Sequence, residues 1–340
     1  MSALTKKWYD GHPIFWLLFP LTILFWVLSW LRRMLFTLGI KRAYQAGVPV
    51  IVVGNISVGG NGKTPVVLAL SDYYQAKGLR VGILSRGYGG NSSYYPRQVL
   101  PDDIANEVGD EPRLLAIRSG AMVVIDPVRA RGAEYLVTTC QCDIIICDDG
   151  LQHYALARDA EVVVMDERML GSGLLMPMGP LREGKWRLGR VNAIVHNRSD
   201  GKTPLPESLN SAQFAMTLTP GHVTNVSDTA QQLTVAELSA RSPHAIAGIG
   251  SPERFFKQLT SMGVTIQSAN AFPDHYAYEP NDIPKNTVIM TEKDAVKVQG
   301  FCHQDCWFLP VTATIDQRFF DIIDTTLSKC GYEIKAKEKG

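Results

Sequence analysis

The sequence predicts an α/β fold in which helices cover both faces of a mostly parallel sheet. A second, smaller α/β domain and an N-terminal membrane-associated helix complete the prediction. From Lys41 onward, short apolar runs alternate with stretches of helical length, the pattern of parallel strands joined by helices. An apolar run at residues 50–54 leads into a glycine-rich loop and a new helix. Near the N-terminus, residues 14–31 contain no charged side chain.

The composition is that of a globular protein. The chain has 340 residues, of which 46% are hydrophobic and 20% charged, so it is long enough for two domains with their own cores. A net charge of +1 gives no global support for nucleic-acid binding. The six cysteines lack the spacing of a disulfide framework or of a paired zinc site. We therefore expect a reducing, cytosolic setting.

Residues 50–69 predict a phosphate-binding loop and hence a P-loop NTPase-like sheet. Glycines let successive backbone N–H groups turn toward one point, where the positive end of the next helix also lies, so an anion is the expected occupant. In this motif the lysine reaches the β- and γ-phosphates and the following hydroxyl binds Mg²⁺. The match fails at Ser57, where the motif has glycine, and a glycine-rich turn without function is the alternative. The residues expected to bind ATP are Gly59, Gly60, Asn61, Gly62, Lys63 and Thr64.

The apolar run at residues 14–31 predicts membrane association for a segment that we place at residues 1–45. As a helix the run is about 27 Å long, slightly short of a hydrocarbon core of about 30 Å, so it either spans the bilayer or lies at the interface. Three tryptophans suit the headgroup zone, and basic pairs flank the run on both sides. ATP is cytosolic, which places the protein at the cytoplasmic face. A buried core helix is the alternative.

A nucleotide-binding core domain is predicted at residues 46–198. Ligands of such a sheet bind beyond the carboxyl ends of its strands, so the residues after each strand are candidate functional groups. The predicted strands are 50–54, 80–85, 121–126, 143–148, 161–166 and 193–197. The predicted helices are 64–77, 111–119, 128–139 and a short piece at 185–190.

Paired carboxylates end the strand predicted at residues 143–148. Asp148 and Asp149 follow an apolar run, as in a Walker B element. Two acids there are costly unless a cation or hydrogen-bond donors satisfy them. Mg²⁺ held together with the Thr64 hydroxyl is the predicted partner, and a solvated turn is the alternative.

The other strand ends give weaker signals. Asp110 and Glu111 stand at a helix N-terminus, where capping explains two acids as well as function does. Arg129 and Arg131 open the next helix, and either one suits a phosphate as well as an exposed helix face.

A smaller α/β domain is predicted at residues 199–340, after a polar linker at 197–209. Thr234 and Glu237 have the spacing of a capping box. The T-E-K-D sequence at 291–294 is near a guanine-reading motif, but its lysine is one place late, which weakens a GTPase interpretation. Strands are predicted at 244–250, 264–272, 287–290 and 307–315, and helices at 253–262 and 317–329.

A series of motifs resembles the tetraacyldisaccharide 4'-kinase family, the lipid A 4'-kinases of Gram-negative bacteria. After the apolar segment come G-N-I-S-V-G-G-N-G-K-T-P, S-R-G-Y-G-G, G-D-E-P, D-D-G-L-Q-H, G-P-L-R-E, D-H-Y and T-E-K-D-A, in this order. The resemblance covers about residues 10–300, and the family loop also has extra residues before Gly59, which explains Ser57.

The resemblance implies transfer of the ATP γ-phosphate to the 4'-hydroxyl of tetraacyldisaccharide 1-phosphate, at the cytoplasmic face of the bacterial inner membrane. Asp110 matches the family's proposed general base, with His275 of the second domain as its partner. Arg129 fits a phosphate-stabilising arginine. The matching phosphate and metal residues are Lys63, Thr64, Asp148 and Asp149.

A membrane-tethered nucleotide switch that binds a protein partner is the alternative function. It shares the P-loop, the acidic pair and the anchor. It requires neither a sugar-lipid acceptor nor the Asp110 and His275 pair.

Overall fold

The computed structural model describes residues 3–198 and 211–332. Most of the predicted linker at residues 197–209, from residue 199 onward, lies outside the described residues. The α-helices are α1 (Ala3–Tyr9), α2 (Phe19–Thr37), α3 (Lys63–Ala76), α4 (Ala105–Val108), α5 (Asp110–Ser119), α6 (Arg129–Thr138), α7 (Val235–Ala240), α8 (Pro252–Ser261), α9 (Glu292–Val298) and α10 (Gln317–Lys329). Short 3-10 helices lie at Pro13–Leu18, Lys185–Arg190 and Pro280–Asp282.

The strands form two sheets. In chain order they are β1 (Val50–Gly54), β2 (Val81–Ser85), β3 (Arg97–Val99), β4 (Met122–Ile125), β5 (Ile144–Asp148), β6 (Ala160–Asp166), β7 (Ala193–Asn197), β8 (Ala212–Pro220), β9 (Val223–Asn225), β10 (Gln232–Leu233), β11 (His244–Ala247), β12 (Ser268–Ala271), β13 (Val288–Thr291), β14 (Cys306–Leu309) and β15 (Val311–Ile315). The first lobe is built on a nine-stranded sheet of order β15-β8-β7-β6-β1-β5-β2-β4-β3. The second lobe is built on a six-stranded sheet of order β10-β9-β14-β13-β11-β12.

The first sheet is parallel except at its two edges, where β3 and β15 run antiparallel to their neighbours. Its central strand β1 is buried on both faces, which explains its continuous apolar sequence. Ile51 and Val53 pack in the core that α3 covers, whereas Val50 and Val52 pack with Leu136 of α6 on the opposite face. The strand ends that precede the predicted site residues therefore meet at one edge of the sheet, as predicted.

The first sheet extends past the boundary predicted at residue 198. β8 pairs with β7 and β15 pairs with β8, so the chain leaves the first sheet, builds the second lobe and returns. The single strand predicted at residues 307–315 is wrong, because β14 and β15 lie in different sheets with Pro310 between them. Proline has no backbone N–H for a strand ladder, so it marks the transfer point.

Two helix predictions in the C-terminal part of the chain are confirmed. Residues 317–329 form α10 with the predicted bounds. The Thr234 hydroxyl accepts the Glu237 backbone N–H and the Glu237 carboxylate accepts that of Thr234, which is the predicted capping box.

The two lobes contact each other through α5 and α9. The Arg118 guanidinium bonds both carboxylate oxygens of Glu292 at 2.8 and 2.6 Å. Arg113 donates to the Gln299 side chain at 2.7 Å, and Lys293 donates to Glu111 at 2.9 Å. The helices α5 and α9 are thereby held together across the two lobes.

The position of α10 generates a stability prediction. Phe319 is fully buried in the core cluster that contains Ile51, so Phe319→Ala should lower the free energy of unfolding by about 3–5 kcal/mol. Chemical denaturation monitored by circular dichroism measures the change. Phe301→Ala is the matched control, because Phe301 is 37% exposed and its loss should cost far less. Equal losses for both variants would contradict the shared core.

Candidate active site

The P-loop lies between β1 and α3, as predicted. Gly62 precedes α3 with φ = 82°, a left-handed conformation, and a Cβ there would lie 2.1 Å from the Asn197 amide nitrogen. Ser57 is buried and its hydroxyl accepts a hydrogen bond from Asn61 at 2.9 Å. Ser57 is not among the residues with positive φ, so its backbone does not require the glycine of the strict motif. The Ser57 side chain instead links the first part of the loop to Asn61.

Asp148 and Asp149 have different surroundings at the end of β5. Asp149 has φ = 49° and lies 3.1 Å from Arg182 and 3.7 Å from the Lys63 ammonium. Although burial opposes its charge, Lys63 and Arg182 lower the pKa of Asp149. Burial and the charge of Glu111 raise the pKa of Asp148 to about 7. Asp149 is thus a paired anion, whereas at Asp148 burial and the charge of Glu111 outweigh the charges of Lys63 and Arg129.

The surroundings of Asp148 fit a bound cation. Its Oδ1 atom is buried and has no hydrogen-bond partner among the described residues. Within residues 3–198 and 211–332, no three His, Cys, Asp or Glu side chains are grouped to hold a metal by themselves. Magnesium usually keeps several waters and binds through one or two carboxylates plus phosphate oxygens, so a single free carboxylate beside a P-loop suits it.

Asp110 and His275 come together from the two lobes. The His275 Nδ1 atom lies 3.0 Å from the Asp110 Oδ2 atom. Lys293 Nζ lies 3.7 Å from the same oxygen and 3.5 Å from Nε2 of His275. Burial disfavours the carboxylate charge, but the His275 hydrogen bond and the Lys293 charge outweigh it and hold the pKa of Asp110 at about 2. Asp110 is therefore ionised throughout the physiological pH range.

Backbone geometry sets the position of this pair. Gly109 has φ = 95°, and a Cβ there would lie 2.7 Å from the Tyr88 carbonyl oxygen, so only glycine lets the 85–90 loop reach the start of α5. The Tyr88 ring packs edge-on against His275 with 5.1 Å between ring centroids. His275 itself has φ = 58° at the turn after β12.

Arg129 and Arg131 differ in what they contact. Arg131 is bound to the Asp126 carboxylate at 2.7 and 2.9 Å and is not among the residues that line the cavity beside the P-loop. Arg129 is buried, and its guanidinium donates to the backbone carbonyls of Asp126 and Asp148. Arg129 also lines the cavity beside the P-loop, so of the two it is the one placed to meet a phosphate.

Two cavities meet at the P-loop. One, of about 270 Å³, lies between the lobes and has Thr64 at one end and the apolar side chains of Leu218, Phe255 and Val311 on its walls. The other, of about 740 Å³, extends from Asp148 and His275 to Phe25 and Arg32 of α2. Lys63 and Glu111 border both cavities. A group bound in one cavity is thus within reach of a group bound in the other.

The predicted site residues other than Asp110 line one or both cavities, and Asp110 contacts His275, which lines the larger one. Lys293 is a central residue that sequence reasoning missed, although it stands in the T-E-K-D-A motif. Thr291 and Asp294 of that motif have structural roles, since Asp294 accepts hydrogen bonds from the Thr291 hydroxyl at 2.6 Å and the Gly248 backbone at 3.0 Å. Arg182, which lies within another of the motifs, G-P-L-R-E, pairs with Asp149 at 3.1 Å.

Comparisons with known proteins agree with one another. The family profile described as tetraacyldisaccharide-1-P 4'-kinase matches residues 14–328. A tetraacyldisaccharide 4'-kinase from Pseudoalteromonas atlantica is 49% identical over 88% of this chain and 96% of its own length. One from Haemophilus influenzae is 46% identical over 91% of each chain. A crystal structure of LpxK from Aquifex aeolicus in complex with ATP is similar with a TM-score of 0.79 and 28% identity, covering 92% of this chain and 99% of that one.

The Asp110 and His275 contact predicts a pH-dependent stability. Burial lowers the pKa of His275, but the hydrogen bond to Asp110 outweighs it and raises the pKa above its ordinary 6.5. The pair therefore stabilises the fold fully below pH 6.5 and loses this contribution as pH rises through the folded-state pKa. The stability difference between wild type and His275→Gln should be larger at about pH 5.5 than at about pH 8.5 by denaturant titration.

His222→Gln is the control for this measurement, because His222 stands in an exposed turn. Its stability difference from wild type should be the same at both pH values. A His275→Gln difference that stays constant or grows with pH would contradict the ion pair.

Proposed function

The chain belongs to the tetraacyldisaccharide-1-P 4'-kinase family, and from that premise we propose that it transfers the ATP γ-phosphate to the 4'-hydroxyl of tetraacyldisaccharide 1-phosphate in lipid A biosynthesis. The observation that supports this most directly is the meeting of the two cavities at Lys63. One cavity has the features of a nucleotide site, and the other joins His275, the partner of the ionised Asp110, to an apolar helix. A nucleotide switch has no use for the second cavity.

We assign the smaller cavity to ATP. Leu218, Phe255 and Val311 suit the adenine ring, and the P-loop suits the phosphates, because its N–H groups and Lys63 converge at one end. When bound, Mg²⁺ and ATP supply the γ-phosphoryl group and neutralise part of its charge. Thr64 and Asp148 would hold the metal, and the free Oδ1 atom of Asp148 makes it a better direct ligand than Asp149, which is already paired.

We assign proton acceptance to Asp110. Its low pKa keeps the carboxylate ionised and ready to accept a hydrogen bond from the 4'-hydroxyl. That hydroxyl becomes strongly acidic only as its oxygen bonds to phosphorus, so a positioned carboxylate suffices and a strong base is not needed. His275 fixes the orientation of the carboxylate through Nδ1, and Lys293 holds both groups. Lys63 and Arg129 stabilise the charge on the transferred group.

We propose that α2 lies on the cytoplasmic face of the inner membrane. The stretch Pro13–Thr37 is long and apolar enough to cross a bilayer and is mostly exposed. Only one side of α2 packs on the protein, through Thr22, Phe25, Ser29 and Phe36. Its remaining leucines and tryptophans are exposed and suit acyl chains. Arg33 stacks on Trp186 at 4.0 Å, and Arg190 stacks on the same ring, which forms a cationic rim for anionic headgroups.

The decisive experiment follows labelled γ-phosphate from ATP onto tetraacyldisaccharide 1-phosphate in detergent, with free-phosphate release measured in parallel. A labelled lipid that requires the acceptor and Mg²⁺ supports the kinase. Phosphate release with no labelled lipid supports the switch.

Replacing the proposed proton acceptor gives a sharper prediction. Asp110→Asn should lower kcat by about 10²–10⁴-fold, because the amide cannot take the proton. The KM for ATP should stay within about three-fold of wild type, since the P-loop is untouched. Asp102→Asn, at an exposed loop position of the same lobe, is the matched control and should retain full activity. Steady-state transfer assays measure both constants.

The double variant tests whether the two lobes supply one catalytic unit. Asp110→Asn with His275→Gln should be no slower than Asp110→Asn alone, because the histidine acts through the carboxylate. Fully multiplicative losses in kcat would assign the histidine a separate role.

Membrane binding gives a third functional prediction. Leu24→Asp with Leu28→Asp should weaken binding to anionic vesicles by more than about 100-fold, because each charge is costly in an apolar environment. Both leucines are more than half exposed on α2. Leu100→Asp with Ile104→Asp is the matched control, since these residues are equally exposed elsewhere on the first lobe. Vesicle flotation measures the bound fraction, and equal binding of the two variants would refute the assignment.

A further inference from the structure

The N-terminal helix α1 contacts the P-loop directly. Tyr9, the last residue of α1, is 6% exposed and its hydroxyl donates a hydrogen bond to the backbone carbonyl of Val58. The Arg168 guanidinium lies over the Tyr9 ring at 4.9 Å from its centroid. The end of α1 thus packs against the loop to which we assign the ATP phosphates, although α1 is distant from that loop in sequence.

Arg168 holds the next part of the same loop. It donates to the backbone carbonyl of Gly60 at 3.2 Å and to the Asn61 side chain at 2.7 Å. Its Nε atom donates to Asp166, at the end of β6, at 2.8 Å. Arg168 therefore links the loop to a neighbouring strand of the sheet and to α1.

These contacts have a directional consequence for the loop. In a planar trans peptide, the C=O of one residue and the N–H of the next point in opposite directions. With the Val58 and Gly60 carbonyls directed at Tyr9 and Arg168, the N–H groups of Gly59 and Asn61 point away from these two side chains. N–H groups turned to one side of the loop are what an anion needs from a P-loop.

The helix α1 is itself anchored on the segment that follows β6. Trp8 donates from its indole nitrogen to the Pro177 carbonyl at 2.9 Å, and the Thr22 hydroxyl of α2 accepts the Met178 N–H at 3.1 Å. The same segment bonds the loop, because the Val58 N–H donates to the Pro180 carbonyl at 2.8 Å. The N-terminal helices and the P-loop share one support.

We propose that Tyr9 and Arg168 are positioning residues that hold residues 58–61 of the P-loop in its phosphate-binding conformation, so that their direct contacts with the loop raise the affinity for ATP. The inference rests on the proposed function only in taking ATP as the occupant of the P-loop. Neither residue takes part in the chemistry. Their contribution is to nucleotide affinity.

The test replaces the hydroxyl alone. Tyr9→Phe keeps the ring under Arg168 and removes the hydrogen bond to Val58, so the Kd for a fluorescent ATP analogue and the KM for ATP should both rise by about five-fold. The kcat at saturating ATP should stay near the wild-type value, because Lys63 and Asp110 are unchanged. Trp8→Phe is the matched control, since it removes one hydrogen bond of the same helix to Pro177 and none to the P-loop. Its nucleotide Kd should change less than two-fold.

The double variant Tyr9→Phe with Arg168→Gln should bind nucleotide more tightly than the product of the single losses predicts, because both side chains hold one segment. Nucleotide Kd values for Tyr9→Phe and wild type that agree within two-fold, or an equal loss in Trp8→Phe, would overturn the proposal. Circular dichroism confirms that each variant is folded. Because Kd is measured without the lipid acceptor, a failure here is distinct from a failure of the kinase assignment, which would appear as absent transfer by the wild-type chain.

Discussion

The active site depends on an ammonium group buried among carboxylates from both lobes. Lys293 lies 2.9 Å from Glu111, 3.4 Å from Asp274 and 3.7 Å from Asp110. Burial alone would lower the pKa of Lys293, but the charges of Glu111 and Asp110 raise it. Removing one member of such a cluster leaves a buried charge without compensation, so the cluster favours the lobe arrangement in which all of them meet. The contact of Asp110 with His275 is a consequence of that arrangement.

The same cluster adds negative charge beside Asp148, the position that we propose for the metal. Glu111 is committed to Lys293, yet its charge still acts on Asp148 and keeps the pKa of that carboxyl high. Lys63 lies 3.7 Å from Asp149 and also borders both cavities. A divalent cation would add positive charge beside Asp148, and a triphosphate would add negative charge beside Lys63. The protein therefore supplies a preformed electrostatic environment, and the nucleotide completes it.

The sequence predicted the parts of the site whose signals are local. Buried parallel strands appear as continuous apolar runs, and the residues after them, which the sequence marks as candidates, lie at one edge of the sheet. What lay beyond prediction depends on contacts between distant segments. Lys293 meets Glu111 only because the lobes close on each other, and no spacing in the chain encodes that. The membership of β15 in the first sheet depends on the return of the chain from the second lobe, for which Pro310 is a signal only in retrospect. Arg129 and Arg131 stand two residues apart at the start of one helix, so the sequence does not distinguish their roles. In the structure Arg131 pairs with the Asp126 carboxylate, whereas Arg129 lines the cavity.

The placement of α2 along the larger cavity has a kinetic consequence. Phe25 and Ser29 line that cavity while the opposite side of the helix is exposed. With α2 on the membrane as we propose, the sugar would enter the site with its acyl chains still among the lipids. The concentration that governs turnover is then the mole fraction of acceptor in the surface. Diluting the acceptor with inert amphiphile at constant bulk concentration slows such an enzyme, and comparison of its rates requires that ratio to be fixed.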